Sequence, residues 1–454
     1  MAKIENRGTF GTKLGVILAT AGSAVGLGNI WRFPYLAGQD GGAAFIVVYI
    51  ICVFILGIPG MIAEFIVGRR AGSNAARAYF NLSGGKPWWL VGAMGMVTST
   101  IILGFYAVVA GWCLYYFYAS LTGQLMGSAQ EITSYFTAFS THPIKPVACC
   151  LAFIFLTHIV VTHGVRNGIE KVSNMLMPTL FVLLIIIAVS SCLLPGATKG
   201  ISFLFQPDFS KVNKGMFLDA LGQAFFSLSM GTSCLCTYAS YFSRQTNLGK
   251  SAIQIAVIDT VIAILAGLMI FPAAFSVGVS PDSGPSLVFI TLPNVFNQAF
   301  ASVPAVGYVM SVLFYALLTL AALTSTISMH EIGTALLYEE LHITRKAGAC
   351  IQSAVCGVIG IVCALSCGAA AGLSLFGKSV MELCDYVTGQ FLMPIGAIFT
   401  CAFVGWYLPK KLVRDEFTNA DTLPATFFRL FLILVRYVAP TCIIIVFLHQ
   451  FGLL

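Results

Sequence analysis

The sequence predicts an all-α membrane protein of eleven transmembrane helices, built as two inverted five-span halves with one further span. Three observations predict it. Charge is scarce: 58% of the 454 residues are hydrophobic, 9% are charged and the mean hydropathy is +0.91, where a soluble globular chain carries about 25% charged residues. Apolar runs, many longer than the ~20 residues a spanning helix needs, alternate with short loops that hold the basic residues. The first span of each half is interrupted at mid-depth by glycines and polar residues.

Hydropathy places the spans near 12–37, 42–70, 88–123, 147–164, 172–194, 215–242, 251–278, 304–341, 347–374, 378–408 and 425–451. They form one transmembrane domain: a first repeat over 12–194, a second over 215–408 and an extra span over 425–451. An apolar piece at 286–301 is too short to span and reads as a re-entrant or surface hairpin. The start, MAKIENRGTFGTKL, is polar and lacks the pattern of a cleavable signal peptide.

Basic residues collect at the N-terminus (Lys3, Arg7, Lys13) and after every even-numbered span. These are Arg69, Arg70 and Arg77, then Arg166 and Lys171, Arg244 and Lys250, Arg345 and Lys346, and Lys410, Lys411 and Arg414. The positive-inside rule then predicts a multi-pass protein of the cell membrane with a cytoplasmic N-terminus and an outside C-terminus. The net charge of +7 sits in these loops and points to the lipid bilayer, with no nucleic-acid partner. The 14 cysteines lie mostly in apolar runs without metal-site spacing or partner histidines, so they read as small hydrophobes.

Span one reads GSAVGLGNIWRFPY over 22–35, with Gly22, Gly26, Gly28, Asn29 and Arg32 inside an apolar run. Span six reads FFSLSMGTSCLCTYASY over 225–241, with Gly231 among Ser227, Ser229, Thr232 and Ser233. One such glycine reads equally well as a helix-packing surface. Matching interruptions in two halves point instead to a transporter of inverted repeats, whose broken helices offer carbonyls to cations and a helix N-terminus to a carboxylate.

Glu64, Asp259 and Glu331 lie in apolar runs that offer no nearby Lys or Arg. An ionised Asp at a helix centre costs about 2.5–3.5 kcal/mol, so a cation, hydrogen bonds or a proton must compensate each. Asp259 reads as the cation site, Glu64 and Glu331 as structural acceptors, and His330 as a packing histidine.

At these residues the chain resembles the neurotransmitter:sodium symporter family, of the LeuT fold, nearly end to end. GSAVGLGNIWRFPY and Gly57-Ile58-Pro59 carry the resemblance. It implies two sodium ions and a substrate between spans one, three, six and eight. The first ion would take the Ala24 carbonyl, the Asn29 amide oxygen, Ser227, Asp259 and the substrate carboxylate. The second would take the carbonyls of Gly22, Val25 and Ala321 with the hydroxyls of Thr324 and Ser325. All are hard oxygen donors. The substrate pocket would be Ala24, Gly26, Leu27, Gly28, Ile102, Phe105, Tyr106, Phe226, Ser227, Ser229, Thr232, Ser325 and Met329, with Tyr106 on the carboxylate and Phe226 as lid. Arg32 and Asp385 match the outer gate; Arg7 and Glu339, with Tyr241 nearby, match the inner one.

The chain departs from the family pattern in three respects: the first sodium site, the pocket and the length. Asp259 stands where the first sodium site has Asn, and Ala263 where chloride-dependent members have Ser. With Tyr49, Gln223 and Ser227 present, Asp259 supplies covalently the charge chloride would bring, so no chloride is expected; proton antiport through Asp259 is a further expectation. Thr232 replaces a phenylalanine beneath the substrate, enlarging the cavity for Leu, Phe, Tyr or Trp, although Ser229 and Ser233 could favour a polar substrate. Gly26 stands where monoamine carriers have Asp, so the substrate should bring its own carboxylate. The sequence ends after span eleven where many members have twelve, which leaves the oligomeric state open. Gly168 and Pro178 resemble a Gly-x9-Pro motif at which span five unwinds, or form a loop glycine with an unrelated proline.

The expectation is therefore a sodium-coupled symporter importing a hydrophobic amino acid by alternating access. A symporter for a polar amino acid, an amine or an osmolyte, and a non-transporting receptor, stand as alternatives. A channel would need a continuous polar lining. An enzyme would need clustered nucleophile, base or metal ligands, and the sequence has 6 histidines with no HExxH or GxSxG.

Overall fold

The computed structural model describes residues 8–278 and 287–450. Among them nine helices are long and apolar enough to cross a membrane, and Lys13–Ala24 with Gly28–Gln39 forms a tenth span bent by 56°. The remaining predicted span, 215–242, is divided into Lys214–Ser227 and Cys234–Ala239. Neither piece is long enough to cross alone, so among the described residues ten of the eleven expected spans meet the length and composition of a crossing helix, and the sixth is the divided one.

Start signals set the helices in register. Thr12, Asn74, Asn213, Asn247 and Thr344 each accept a backbone N–H of the turn they open. Ser128 and Ser379 form capping boxes with Glu131 and Glu382. Span two ends at Gly72, whose φ of +60° closes the last turn in the left-handed region.

Six π turns end two residues before a proline. They are Gly28–Arg32 before Pro34, Val53–Gly57 before Pro59, Leu287–Thr291 before Pro293, Thr388–Leu392 before Pro394, Phe403–Tyr407 before Pro409 and Leu434–Val438 before Pro440. Proline cannot donate to the carbonyl four residues back and its ring crowds that turn. The preceding residue then reaches five residues back, as Phe33 does to Gly28 and Ile58 to Val53, widening the helix by one residue.

Packing follows a pseudo-symmetric plan. Spans three (Trp89–Leu121), four (Lys145–Thr162), eight (Pro304–Glu340) and nine (Arg345–Ser366) pack as one unit, three on four and nine, eight on four and nine. Span one lies against five (Val165–Cys192), seven (Leu248–Ser276) and eight, while span two (Ala43–Ala71) holds both parts of span six.

Two expectations change. The 286–301 piece is a helix, Leu287–Thr291 continuing as Leu292–Ala299, not a hairpin. It buries Val288, Phe289, Leu292, Val295 and Phe296 on the bundle, and hydropathy alone carries no turn signal to tell the two apart. Span nine ends at Ser366 rather than 374; Ser374–Leu375 and Lys378–Ser379 pair as a small antiparallel hairpin before span ten, Val380–Tyr407.

Candidate binding and gating site

The two breaks meet at the centre of the bundle. Span one opens after Ala24, where Val25 is extended at φ −73°, ψ 112°. Span six opens over Leu228–Ser233, with Ser229, Gly231 and Ser233 at positive φ. Gly231 answers two demands: a φ of +79°, and a position where an added methyl would stand 3.0 Å from the Ala397 nitrogen of span ten. Glu64 accepts the amides this break releases, from Gly231 at 2.8 Å and Cys236 at 3.2 Å, as a carboxylate at a helix N-terminus should.

Asp259 is fully buried and no Lys or Arg reaches it among the described residues. Three donors face its carboxylate: Asn29 Nδ2 at 2.7 Å on Oδ1, Ser227 Oγ at 2.7 Å and Tyr49 at 3.1 Å on Oδ2. Asn29 departs from the expectation. Its amide oxygen accepts the Gly26 N–H at 3.1 Å, and its nitrogen faces Asp259. Two oxygens pointed at each other would repel, so the amide turns its donor to the carboxylate; presenting the oxygen to a cation requires a flip. Gln223, buried one turn before Ser227 on span six, has neither amide atom paired among the described residues.

The second oxygen cluster lies on the other side of the same break. The Val25 carbonyl accepts from Ser325 Oγ at 3.2 Å and Thr324 Oγ1 at 3.4 Å, and the Ala321 carbonyl accepts from Thr324 at 2.9 Å. A methyl on Gly22 would stand 3.3 Å from Thr324 Cβ, so all five expected residues converge.

A cavity of about 360 Å³ opens beside these clusters. Leu27, Gly28, Phe105, Tyr106 and Phe226 line it, together with Trp31, Tyr35, Met393 and Pro394. Tyr106 hydroxyl accepts the Leu27 N–H at 3.1 Å, and a methyl on Gly26 would press on that hydroxyl and on Ser325. Ala24, Gly26, Ile102, Ser227, Ser229, Thr232, Ser325 and Met329 do not line it. Ser229 donates to the Ser23 carbonyl at 3.3 Å and Thr232 to the Ser229 carbonyl at 2.7 Å, so these hydroxyls satisfy the unwound chain. Sequence reasoning missed Ser99, which donates to the Thr232 carbonyl at 2.7 Å, and Ile443 and Val446 of span eleven (Phe428–His449), which close one wall of the cavity.

Of the expected gate pairs, the outer one stands open and the inner one reaches beyond the described residues. Arg32 and Asp385 both line the cavity, but no ion pair within 4.0 Å joins them; the guanidinium lies over the Phe226 ring, 4.4 Å from its centre. Arg7 lies outside the described residues. Glu339 accepts from Asn74 N at 2.7 Å and Nδ2 at 3.0 Å. Tyr241 donates to Glu331 at 2.6 Å, and Glu331 pairs with Arg345. That corrects the expectation of no cation near Glu331: the 14-residue separation spans a turn that folds span nine back onto span eight.

Two further positions differ from, or add to, the sequence reading. Span five is helical at both Gly168 and Pro178: Val165–Glu170 is a π turn continuing into Lys171–Cys192, with Pro178 inside the helix. Glu170, unremarked in the sequence, accepts from Gly11 N at 2.7 Å, Thr12 N at 3.0 Å and Thr12 Oγ1 at 2.8 Å, fastening span five to the start of span one. His330 is buried and satisfied, bonded to Ser353 at 2.7 Å and Thr334 at 3.0 Å.

Comparison with known proteins follows the same lines. The model of the sodium:neurotransmitter symporter family matches residues 7–138 and 131–453. The sodium-dependent transporter YhdH of Bacillus subtilis is 38% identical over 98% of this chain and 97% of its own. A sodium-dependent transporter of Haemophilus influenzae is 34% identical over 98% of each. The crystal structure of MhsT in complex with L-phenylalanine matches with TM-score 0.88 at 39% identity, over 97% of this chain and 99% of MhsT.

Proposed function

The chain belongs to the sodium:neurotransmitter symporter family, and from that premise we propose that it imports a hydrophobic amino acid, aliphatic or aromatic, by sodium-coupled symport with alternating access and without chloride. One observation carries the reading: two clusters of hard oxygen donors flank a single helix break, and one contains a buried carboxylate with no basic partner. A small cation at each neutralises what the bilayer would otherwise penalise. Asp259 supplies the negative charge at the first, which makes an added anion superfluous.

Substrate class rests on three supports. Gly26 leaves no side-chain anion for an amine, so the bound molecule provides its own carboxylate beside Tyr106. Thr232, set behind the cavity wall, is smaller than the phenylalanine the resemblance places there, so the floor beneath the substrate carries less bulk. MhsT, similar over nearly its whole length, is seen with L-phenylalanine. Placing the basic loops in the cytoplasm orients the cavity outward. Two sodium ions entering with a zwitterion at about 100 mV gain about 4.6 kcal/mol. A tenfold sodium gradient adds about 1.4 kcal/mol per ion, enough together for uptake from scarce external substrate.

Uptake of a radiolabelled amino-acid panel into proteoliposomes tests this, under inward sodium or potassium gradients with and without chloride. Sodium-dependent, chloride-indifferent accumulation of Leu or aromatic residues is expected. Accumulation of polar amino acids, amines or osmolytes alone would overturn the substrate class, and binding without accumulation would make the chain a receptor.

A further inference from the structure

At the face with the basic loops, spans one and seven enclose a second cavity of about 240 Å³. Span one contributes Lys13, Val16 and Ile17; span seven contributes Lys250, Ser251 and Gln254. No acidic side chain lines it, and neither lysine has an ion-pair partner among the described residues. Ser251 is 6% exposed, and its hydroxyl has no hydrogen-bond partner among the described residues. A helical serine commonly bonds back to the carbonyl one turn before it; here the hydroxyl is left to the cavity.

Both walls are fixed in place. Glu170 holds the amides of Gly11 and Thr12 just before Lys13. The Thr246 carbonyl, just before span seven, accepts from Arg69 at 2.5 Å and Asn419 at 3.2 Å. The 29-residue helix of span seven starts here under its Asn247 cap, so the positive end of its dipole adds to the two ammonium groups. Farther along span seven, Val257 and Val261 continue the face of Lys250 and Gln254 at helical spacing, and both are exposed.

We propose that this cavity binds the phosphate group of an anionic lipid, whose acyl chains lie along Val257 and Val261. Two ammonium groups, a buried hydroxyl and a helix N-terminus suit an anion with several acceptor oxygens. Free phosphate offers the same oxygens but leaves the apolar face unused. A zwitterionic headgroup brings its own cation, which competes with the lysines. Because the walls belong to different spans, an occupied cavity favours the state in which spans one and seven are packed together.

The test titrates the purified full-length protein in detergent with short-chain phosphatidylglycerol, short-chain phosphatidylcholine and inorganic phosphate, and counts bound molecules by native mass spectrometry. Phosphatidylglycerol should fill a saturable site whose affinity falls about fivefold for Lys13→Gln and again for Lys250→Gln. Lys13→Arg should retain it, and Ser251→Ala should weaken it. Lys410→Gln with Lys411→Gln, on the same face outside the cavity, should change nothing. Thermal midpoints without lipid should match across the variants, while the rise that phosphatidylglycerol gives should shrink in those of the cavity. Inorganic phosphate should displace the lipid only at far higher concentration. Unchanged affinity in the Lys13→Gln, Lys250→Gln double variant overturns the proposal, as does an equal loss at Lys410 and Lys411. Phosphatidylcholine bound as tightly would show that headgroup charge is not read. Phosphate bound there with phosphatidylglycerol excluded would make the ligand a free anion and overturn the lipid.

Discussion

The two faces of the molecule are closed to different degrees. On the face with the basic loops, charge is buried and paired. Arg69 donates to Glu416 Oε2 at 2.7 Å, to the carbonyls of Thr246 and Glu416 at 2.5 Å, and to Asn419 at 2.9 Å. Glu170 holds the start of span one, and Glu331 takes both Tyr241 and Arg345. On the opposite face the cavity keeps Arg32 and Asp385 apart. Opening the first face means giving up buried ionic partners, each of which is costly to leave alone. Closing the second needs only an exposed pair worth about 0–1 kcal/mol. A carrier that loads from one side is well served by this asymmetry, because its strong contacts hold the unloaded side shut and its weak ones yield to the ligand.

The largest effect is expected at Arg69. Arg69→Ala leaves the buried Glu416 carboxylate with only the partly exposed Arg70, 3.3 Å away, and strands the carbonyls that Arg69 serves; it should lower stability by about 3 kcal/mol, read as a lower thermal midpoint of the purified protein. An unchanged midpoint would mean this face is not held by buried charge. Next is Asp259, at the hinge between the faces. Asp259→Asn loses charged hydrogen bonds of about 1.5–3 kcal/mol, so sodium affinity should fall by about one to two orders of magnitude. Chloride should restore part of it, because Gln223 and Tyr49 remain there as donors. Sodium binding titrated with and without chloride decides the point, and unaltered affinity would remove Asp259 from the site.

Smaller again is Glu170. Glu170→Gln keeps one acceptor oxygen but drops the charge, costing about 1–2 kcal/mol in bonds to the start of span one. The basic face should open more often, raising alkylation of a cysteine placed at Thr12 about tenfold. Equal labelling would show that Glu170 only caps a helix.

How much of this was legible differs by feature. Spans could be read because a lipid-exposed backbone must satisfy itself within helices, and the break positions because glycine and hydroxyl residues interrupt two apolar runs at matching depths. The π turns are written in the X-Pro positions, as at Pro34 and Pro59. Pairings such as Arg69 with Glu416, 347 residues apart, have no local signal, since neither residue's neighbours name the other. The Asn29 amide orientation was illegible for another reason: the resemblance put Asn29 and Asp259 at one site but could not say which amide atom faces the carboxylate. The outer gate pair, Arg32 and Asp385, was read as a contact, whereas residues that meet only in one state of a cycle share a cavity in another.

That last point sets the smallest effect, and the sharpest test of the asymmetry. Because Asp385 touches no cation in the open cavity, Asp385→Asn should leave sodium affinity of the open state within about twofold. It should slow uptake by about two- to fivefold, since only the closed state loses an exposed pair of about 0–1 kcal/mol. Equilibrium sodium binding and initial uptake rate measured on one preparation separate the two. A drop in sodium affinity as large as that at Asp259→Asn would mean Asp385 already acts in the open state. The contrast between a tied face and a loose one would then have to be redrawn.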